Sequence, residues 1–274
     1  MSDSLPTIAI LGAGSMGGAI LGGLRSVEVD GGIRVTNRTA AKADAITGEN
    51  VFSLATEVDA DANRRAVSGA RIVVLGVKPV GIVPLLTEIA DALEPDAAVV
   101  SVAAGVPLAA MEAVWGGALL RAMPNTPSLV GRGVTGVASG SRAGESDLAL
   151  VVRLFETVGS VLVVEESRID ALSTISGSGP AYVFYLIEQL TRTAIDAGFT
   201  PEEAALMVND TFLGAAELLR ASGVPPQELR RRVTSPNGTT ERAIAELETA
   251  DLKSLFDRAT ASALARAKEI AAGA

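Results

Sequence analysis

The chain has 274 residues, 48% hydrophobic and 20% charged, which is enough apolar material for one large or two compact domains and rules out a disordered chain. A net charge of −9 with no long basic run argues against a surface that tracks nucleic-acid phosphates. Cysteine and histidine are absent, which excludes disulfides, thiolate nucleophiles, the Ser-His-Asp triad and the commonest transition-metal ligand.

No metal site is therefore expected, and any chemistry falls to carboxylates, lysine, tyrosine, hydroxyls, backbone dipoles or a bound cofactor. The N-terminal segment Met1–Pro6 carries no basic region of the kind that opens a signal peptide. The uncharged stretch Ala97–Met111 is too short to span a bilayer and is broken by Gly105 and Pro107. A soluble, cytoplasmic protein is the expectation.

Short apolar runs at Thr7–Leu11, Ile33–Asn37, Ile72–Gly76 and Ala98–Val102 read as buried strands, each bounded by Gly, Asp or Pro and followed by a helical pattern. Strands that alternate with helices predict a mostly parallel sheet covered on both faces. Leu119–Met123, Val134–Ser139 and Ser160–Val164 are candidates to extend it.

After the first strand, Gly12-Ala13-Gly14-Ser15-Met16-Gly17 opens a helix from Ser15 to about Ser26. In this context Gly12 permits a tight turn, Gly14 lets a pyrophosphate approach the backbone, and Gly17 lets the helix pack on the strand. The helix start offers free N–H groups to phosphates, so the segment is expected to bind a dinucleotide. The second strand ends in Asn37-Arg38-Thr39. No carboxylate stands there to repel a ribose 2′-phosphate, while a guanidinium and a hydroxyl stand ready to bind one, which favours NADPH over NADH. Arg38 as an ordinary surface arginine is the alternative. Lys78, in Gly76-Val77-Lys78-Pro79, and the small residues Ser101–Gly105 fall at the carboxyl edge of the sheet, where open α/β sheets bind ligands. Lys78 reads equally as a solvated loop residue.

Beyond Glu166 the texture becomes helical. Ile169–Ala197 is apolar on nearly all sides, which a domain of about a hundred residues can scarcely bury without a partner subunit. Thr200-Pro-Glu-Glu203 is an N-cap signal for a helix ending near Ser222-Gly223. Leu252, Leu255, Phe256, Ala259, Ala263, Leu264 and Ala267 form one stripe of a last helix. The chain thus divides into an α/β domain, 1–165, and a helical domain, 166–274. Two segments of the latter carry more glycine and hydroxyl than turns require: Ser176-Gly-Ser-Gly-Pro-Ala-Tyr182, read as an anion site at a helix start or simply a capped start, and Thr234-Ser-Pro-Asn-Gly-Thr-Thr240.

With these segments in this order, together with Arg121-Ala-Met-Pro-Asn-Thr-Pro127, the chain resembles the pyrroline-5-carboxylate reductases along essentially its whole length. The resemblance implies a Rossmann-type dinucleotide-binding domain followed by an all-helical dimerisation domain, and hydride transfer from NADPH, or NADH, to the C=N carbon of 1-pyrroline-5-carboxylate to give L-proline. It implies an interlocked homodimer, often assembled further into a ring, whose substrate pocket takes residues from both subunits. By motif position the cofactor meets Gly12 through Gly17, Asn37, Arg38, Thr39, Asn63, Val77, Lys78 and Ala103. The substrate meets Glu166, Val233, Ser235, Gly238, Thr239 and Thr240, with the carboxylate held around Ser235, Gly238 and Thr239, and Thr240 at the ring nitrogen as the catalytic residue.

The family loop usually reads Ser-Pro-Gly-Gly-Thr-Thr, and here Asn237 replaces the first glycine. Asparagine tolerates left-handed backbone better than other non-glycine residues, so the turn is expected to survive. Tyr182 is either a second proton donor or a packed core residue. A β-hydroxyacid dehydrogenase would need a lysine where Val183 stands. A non-catalytic NADP(H)-binding regulator, or a reductase of a six-membered imine, are the other readings.

Overall fold

The computed structural model describes residues 4–271, and of residues 270 and 271 the backbone alone. Met1, Ser2 and Asp3 of the N-terminal reading, and 272–274 of the helical domain, lie outside the described residues. In chain order the elements are β1 (Ile8–Leu11), α1 (Ser15–Leu24), β2 (Ile33–Asn37), α2 (Ala40–Asp44), β3 (Val51–Ala55), α3 (Ala62–Val67), β4 (Ile72–Leu75), α4 (Ile82–Ile89), β5 (Ala98–Ser101), α5 (Leu108–Glu112), β6 (Ala118–Met123), β7 (Gly133–Ser139), α6 (Glu145–Glu156) and β8 (Gly159–Val163). Helices follow: α7 (Ile169–Leu172), α8 (Gly179–Asp196), α9 (Pro201–Ser222), α10 (Pro226–Arg232), α11 (Thr239–Thr249) and α12 (Leu252–Ala271).

The strands form one sheet in the order β3-β2-β1-β4-β5-β6-β7-β8, parallel except where β6 meets β7. All residues of β1, β4 and β5 are buried, as expected of parallel strands covered on both faces. Alternate side chains feed two cores. Ile8, Ile10, Val35, Ile72, Val74 and Val100 pack with Ile20 and Leu24 of α1 and Leu154 and Phe155 of α6. Ala9, Leu11, Val73, Leu75 and Val99 pack with Val67 of α3, Ile82, Leu86 and Ile89 of α4 and Met111 of α5. Each fully buried aliphatic side chain contributes roughly 1.5–3 kcal/mol.

β3 has no counterpart among the strands expected from sequence. It is an edge strand whose Phe52 is largely exposed, and its conformation follows from pairing with β2, Val35 opposite Ser53, rather than from a buried apolar run. The three later runs all join the sheet, as β6, β7 and β8.

The chain comprises two compact units, one reaching from the N-terminal side to Ser178 and resuming at Ala263, the other Gly179–Ser262. Within the second, α9 begins and ends as its sequence dictates: Thr200 Oγ accepts from the Glu203 N–H, the Glu203 carboxylate accepts from the Thr200 N–H, Pro201 opens the first turn, and Gly223 follows with φ +62°.

One expectation is corrected. Ser176–Tyr182 is not an isolated helix start: a π-helical turn, Ser173–Gly177, follows α7, and after a bend at Ser178 α8 begins at Gly179 with Pro180 in its first turn, the capped start of the second reading. The Ser178 N–H donates to the Ser173 carbonyl, and the Ser176 hydroxyl donates to the Leu172 carbonyl, so two of the expected anion-binding donors are spent inside the helix. Pro180 has no N–H to give the Ser176 carbonyl, and the Asn125 side-chain amide donates to it instead, at 2.9 Å. Asn125 also accepts from the Val134 N–H, so it ties this turn to β7.

Candidate functional site

The carboxyl ends of β2, β1, β4 and β5 lie side by side, with Leu11 in register with Thr36 on one side and Leu75 on the other, and Leu75 with Ser101. The strand order reverses direction between β1 and β4, which is the switch point where open α/β sheets form their ligand crevice.

The glycine loop opens there. Gly12 has φ +97°, and a Cβ on it would lie 3.0 Å from the Gly76 backbone. A Cβ on Gly17 would lie 2.3 Å from the Gly12 carbonyl oxygen, so α1 can sit this close to the loop only without a side chain at that position. A Cβ on Gly14 meets nothing within 4 Å, and this exposed glycine faces open space. Gly12 and Ala13 donate their N–H groups to the Thr36 carbonyl. The N–H groups of Gly14, Ser15, Met16 and Gly17 have no partner among the described residues, and they form the positive end of α1. This cradle fits a pyrophosphate.

At the end of β2, Asn37 is buried and its Nδ2 has no hydrogen-bond partner. Arg38 is exposed and forms no ion pair among the described residues, and Thr39 precedes α2 without capping it through its side chain. The first N–H of α2, that of Ala40, is taken by the Glu57 carboxylate at 2.5 Å. The strand end that looks free of carboxylate in sequence therefore has one beside it, brought in from the end of β3. Asn63 is buried on α3, accepts from the Thr36 hydroxyl at 2.7 Å and donates to Glu88 at 3.0 Å. It braces the residue whose carbonyl anchors the glycine loop.

On the other side of the crevice, Val77 is half-buried and Lys78 exposed where β4 ends. Ala103 is buried, and its N–H donates to Ser101 Oγ. Beside this strand end opens a cavity of about 300 Å³ lined by Ala104, Gly105, Arg121, Asp170, Ser178 and Arg266, among others. Arg121 is 5% exposed in the middle of an apolar strand, and a cation so placed requires partners. It donates to Asp170 at 2.7 Å and lies 3.4 Å from a Glu166 oxygen that also accepts from the Leu108 N–H. Glu166, expected at the substrate, is thus held through one oxygen, while its other oxygen makes no hydrogen bond among the described residues. Asp170 was not singled out from sequence, and Arg121 only as the first residue of the Arg121–Pro127 segment, with no role of its own. The signal was available, since a lone charge inside Ala118–Met123 breaks an otherwise buried run.

The remaining expected residues lie in the second unit, in the loop from α10 to α11 and in the first turn of α11, which Thr239 and Thr240 open. Asn237 adopts φ +60°, the left-handed conformation expected of the glycine it replaces, and its N–H donates to Glu241. The Gly238 N–H closes a turn on the Ser235 carbonyl. The hydroxyls of Ser235, Thr239 and Thr240 and the N–H groups of Thr239 and Thr240 have no partner among the described residues, and Val233 is exposed. The loop is fixed at its base by Arg230, which reaches Glu248 on α11, and by Thr234, whose hydroxyl donates to the Arg230 carbonyl. Hydrogen bonds from Arg231, and then Arg232, hold the Glu228 carboxyl at about 2 in the preceding helix. Tyr182 is half-buried with its ring 6.1 Å from that of Phe256.

A doubly wound sheet with open N–H donors at its switch point, followed by a helical unit, defines a dinucleotide-dependent oxidoreductase. A family profile described as pyrroline-5-carboxylate reductase dimerisation matches residues 166–270, and one described as NADP oxidoreductase coenzyme F420-dependent matches 7–105. A pyrroline-5-carboxylate reductase of Pseudomonas aeruginosa is 38% identical over 273 residues, covering 98% of both chains. The chain belongs to the pyrroline-5-carboxylate reductase family. Among solved structures, a pyrroline-5-carboxylate reductase of Coxiella burnetii superposes with a TM-score of 0.89 at 37% identity, over 96% of this chain and 97% of that one. A Plasmodium falciparum pyrroline carboxylate reductase, solved with NADP bound, shares the fold at a TM-score of 0.80 and 24% identity, over 97% of this chain and 98% of that one.

Proposed function

We propose that this chain reduces the C=N bond of 1-pyrroline-5-carboxylate to L-proline, with NAD(P)H supplying the hydride when bound. The observation that carries the reading is the pairing, in one chain of this family, of open N–H donors at the sheet's switch point with the hydroxyl-rich Ser235–Thr240 loop.

The first domain, 1–165, holds the cofactor. The N–H groups of Gly14 to Gly17 receive the pyrophosphate, with Gly12, Ala13, Ser15 and Met16 shaping the turn. Asn37, Arg38 and Thr39 receive the ribose, and Asn63 sets the height of the β2 end. Val77, Lys78 and Ala103 flank the nicotinamide side. The second domain, 166–274, forms the homodimer and supplies the substrate loop, consistent with the exposed apolar faces of α8 and α9. A ring of dimers and a cytoplasmic location are part of this proposal; no helix among the described residues is long and apolar enough to cross a membrane.

Free N–H groups at Thr239 and Thr240 together with the Ser235 hydroxyl suit a carboxylate, and Gly238, where a Cβ would lie 2.9 Å from the Ser235 carbonyl oxygen, keeps the turn that presents them closed. Thr240 positions the ring nitrogen by a hydrogen bond that strengthens as the imine becomes an amine. A threonine is a poor acid, and the protein's contribution is chiefly orientation and exclusion of water. Glu166, held by Leu108 and Arg121, keeps its second oxygen for the substrate, and exposed Val233 is a further substrate contact in this reading. The reading is tested by incubating the protein with the imine and NADPH and identifying L-proline formed in step with NADPH oxidation. Cofactor binding without proline contradicts it.

A further inference from the structure

We propose that Glu57 is a specificity-determining residue for the cofactor, a carboxylate that opposes Arg38 in the choice between a ribose 2′-phosphate and a 2′-hydroxyl. The inference rests on the reading of Asn37-Arg38-Thr39 as the ribose segment. Residues 56 and 57 form the turn that leaves β3 and stay tied to the end of β2: the Thr56 N–H donates to the Asn37 carbonyl at 2.9 Å, and the Glu57 N–H to the Arg38 carbonyl at 3.0 Å. This fixes the Glu57 backbone directly alongside Arg38, and the Ala40 N–H then fixes its carboxylate.

Two further observations mark the place as built for a ligand. Asn37 is 6% exposed, and its Nδ2 donor has no partner at the same strand end. Arg38 and Glu57, neighbours through their backbones, form no ion pair with each other. Neither charge is spent on the other: Glu57 gives one oxygen to the Ala40 N–H and keeps its second for whatever occupies the site, and Arg38 is exposed.

The two charges pull in opposite directions. A 2′-phosphate is attracted by the Arg38 guanidinium and repelled by the Glu57 carboxylate, whereas a 2′-hydroxyl can donate to that carboxylate and gains little from Arg38. Dinucleotide folds that select NADH usually place such an acid at the end of the second strand. Here the acid comes from the end of the third, where a reading along the chain does not find it. The chain therefore carries both halves of the discrimination, and Glu57 keeps NADH usable in a site whose arginine favours NADPH.

The test is the isosteric change Glu57→Gln, which keeps an oxygen acceptor for the Ala40 N–H and removes the charge, run beside Arg38→Ala. Steady-state kcat/KM is measured with NADPH and NADH at low and high salt, on variants whose thermal unfolding matches that of the unaltered protein. E57Q is expected to raise kcat/KM for NADPH about three- to tenfold and to lower it for NADH, with the NADPH gain shrinking as salt screens the charge. R38A is expected to lose NADPH selectively. An unchanged NADPH/NADH ratio in E57Q, while R38A still loses NADPH selectively, overturns the role of Glu57 and leaves the ribose segment standing. Equal losses of both cofactors in R38A overturn the ribose segment and this inference with it.

Discussion

Asn237 shows how one residue can depart from a motif and keep its geometry. Its φ of +60° is a conformation that costs a residue with a Cβ roughly 1–2 kcal/mol, and asparagine is among the few that visit it routinely. Asn237→Gly is expected to leave unfolding unchanged or to raise stability slightly, whereas Asn237→Ala is expected to lose about 1 kcal/mol in denaturant unfolding. Equal stability of the two variants would contradict the strained-turn account. Thr240, whose hydroxyl is open, makes a kinetic prediction: Thr240→Ala lowers kcat by at least about tenfold and leaves the Kd for NADPH intact, and unchanged turnover removes it from the site. Arg121 makes a stability prediction. Arg121→Met strands the Asp170 carboxylate and is expected to cost about 3 kcal/mol in chemical denaturation, while a loss below about 1 kcal/mol would mean that solvent already screens the pair. At this scale Gly12, Gly17 and Asn237 were legible, because each answers a backbone demand visible in the local motif. Glu57 was not, because its partners Arg38 and Ala40 belong to a different strand end.

The elements follow the same division. β1, β2, β4 and β5 were legible as apolar runs because parallel strands buried on both faces leave little choice of residue, and α9 was legible from its capping box. β3 and the π-helical turn were not, since the first exists through pairing with β2 and the second through Asn125 satisfying the carbonyl that Pro180 leaves open. α1 carries a direct test. Gly17→Ala drives a Cβ into the Gly12 carbonyl, so it is expected to weaken NADPH binding at least about tenfold in a titration, whereas Gly14→Ala meets no protein atom and perturbs the fold less. Glu228 sets a pH dependence for α10. Its carboxyl falls from an ordinary 4.5 to about 2, so the stabilisation it gives the last turn is fully present above pH 4.5 and is lost as pH drops through 2. An NMR titration that finds its midpoint near 4.5 would contradict the Arg231 and Arg232 contacts.

At the scale of the molecule, the helical unit leaves its apolar residues uncovered within one chain. Phe184 is 66% exposed, Leu213 68%, and a cavity of about 760 Å³ between α8 and α9 is lined by Val183, Ile187, Phe212 and Leu219. Isolated apolar residues at a surface need no explanation, but a continuous face along two helices does, and a second copy of the chain covers it in the proposed dimer. Leu213→Glu is expected to convert the dimer to a monomer in light-scattering chromatography and to abolish turnover while leaving NADPH binding in place. A dimer that survives would place the interface elsewhere. That the apolar run needed a partner was legible in its composition; the size of any assembly beyond the dimer was not, because it depends on surfaces with no comparable pattern. The most direct test of the central claim is NADPH oxidation by the purified protein with 1-pyrroline-5-carboxylate, with the six-membered cyclic imine and NADH in parallel. Turnover that is saturable in the five-membered imine, exceeds that with the six-membered one and continues with NADH is the predicted result. No oxidation by protein that still binds NADPH would contradict the reductase reading.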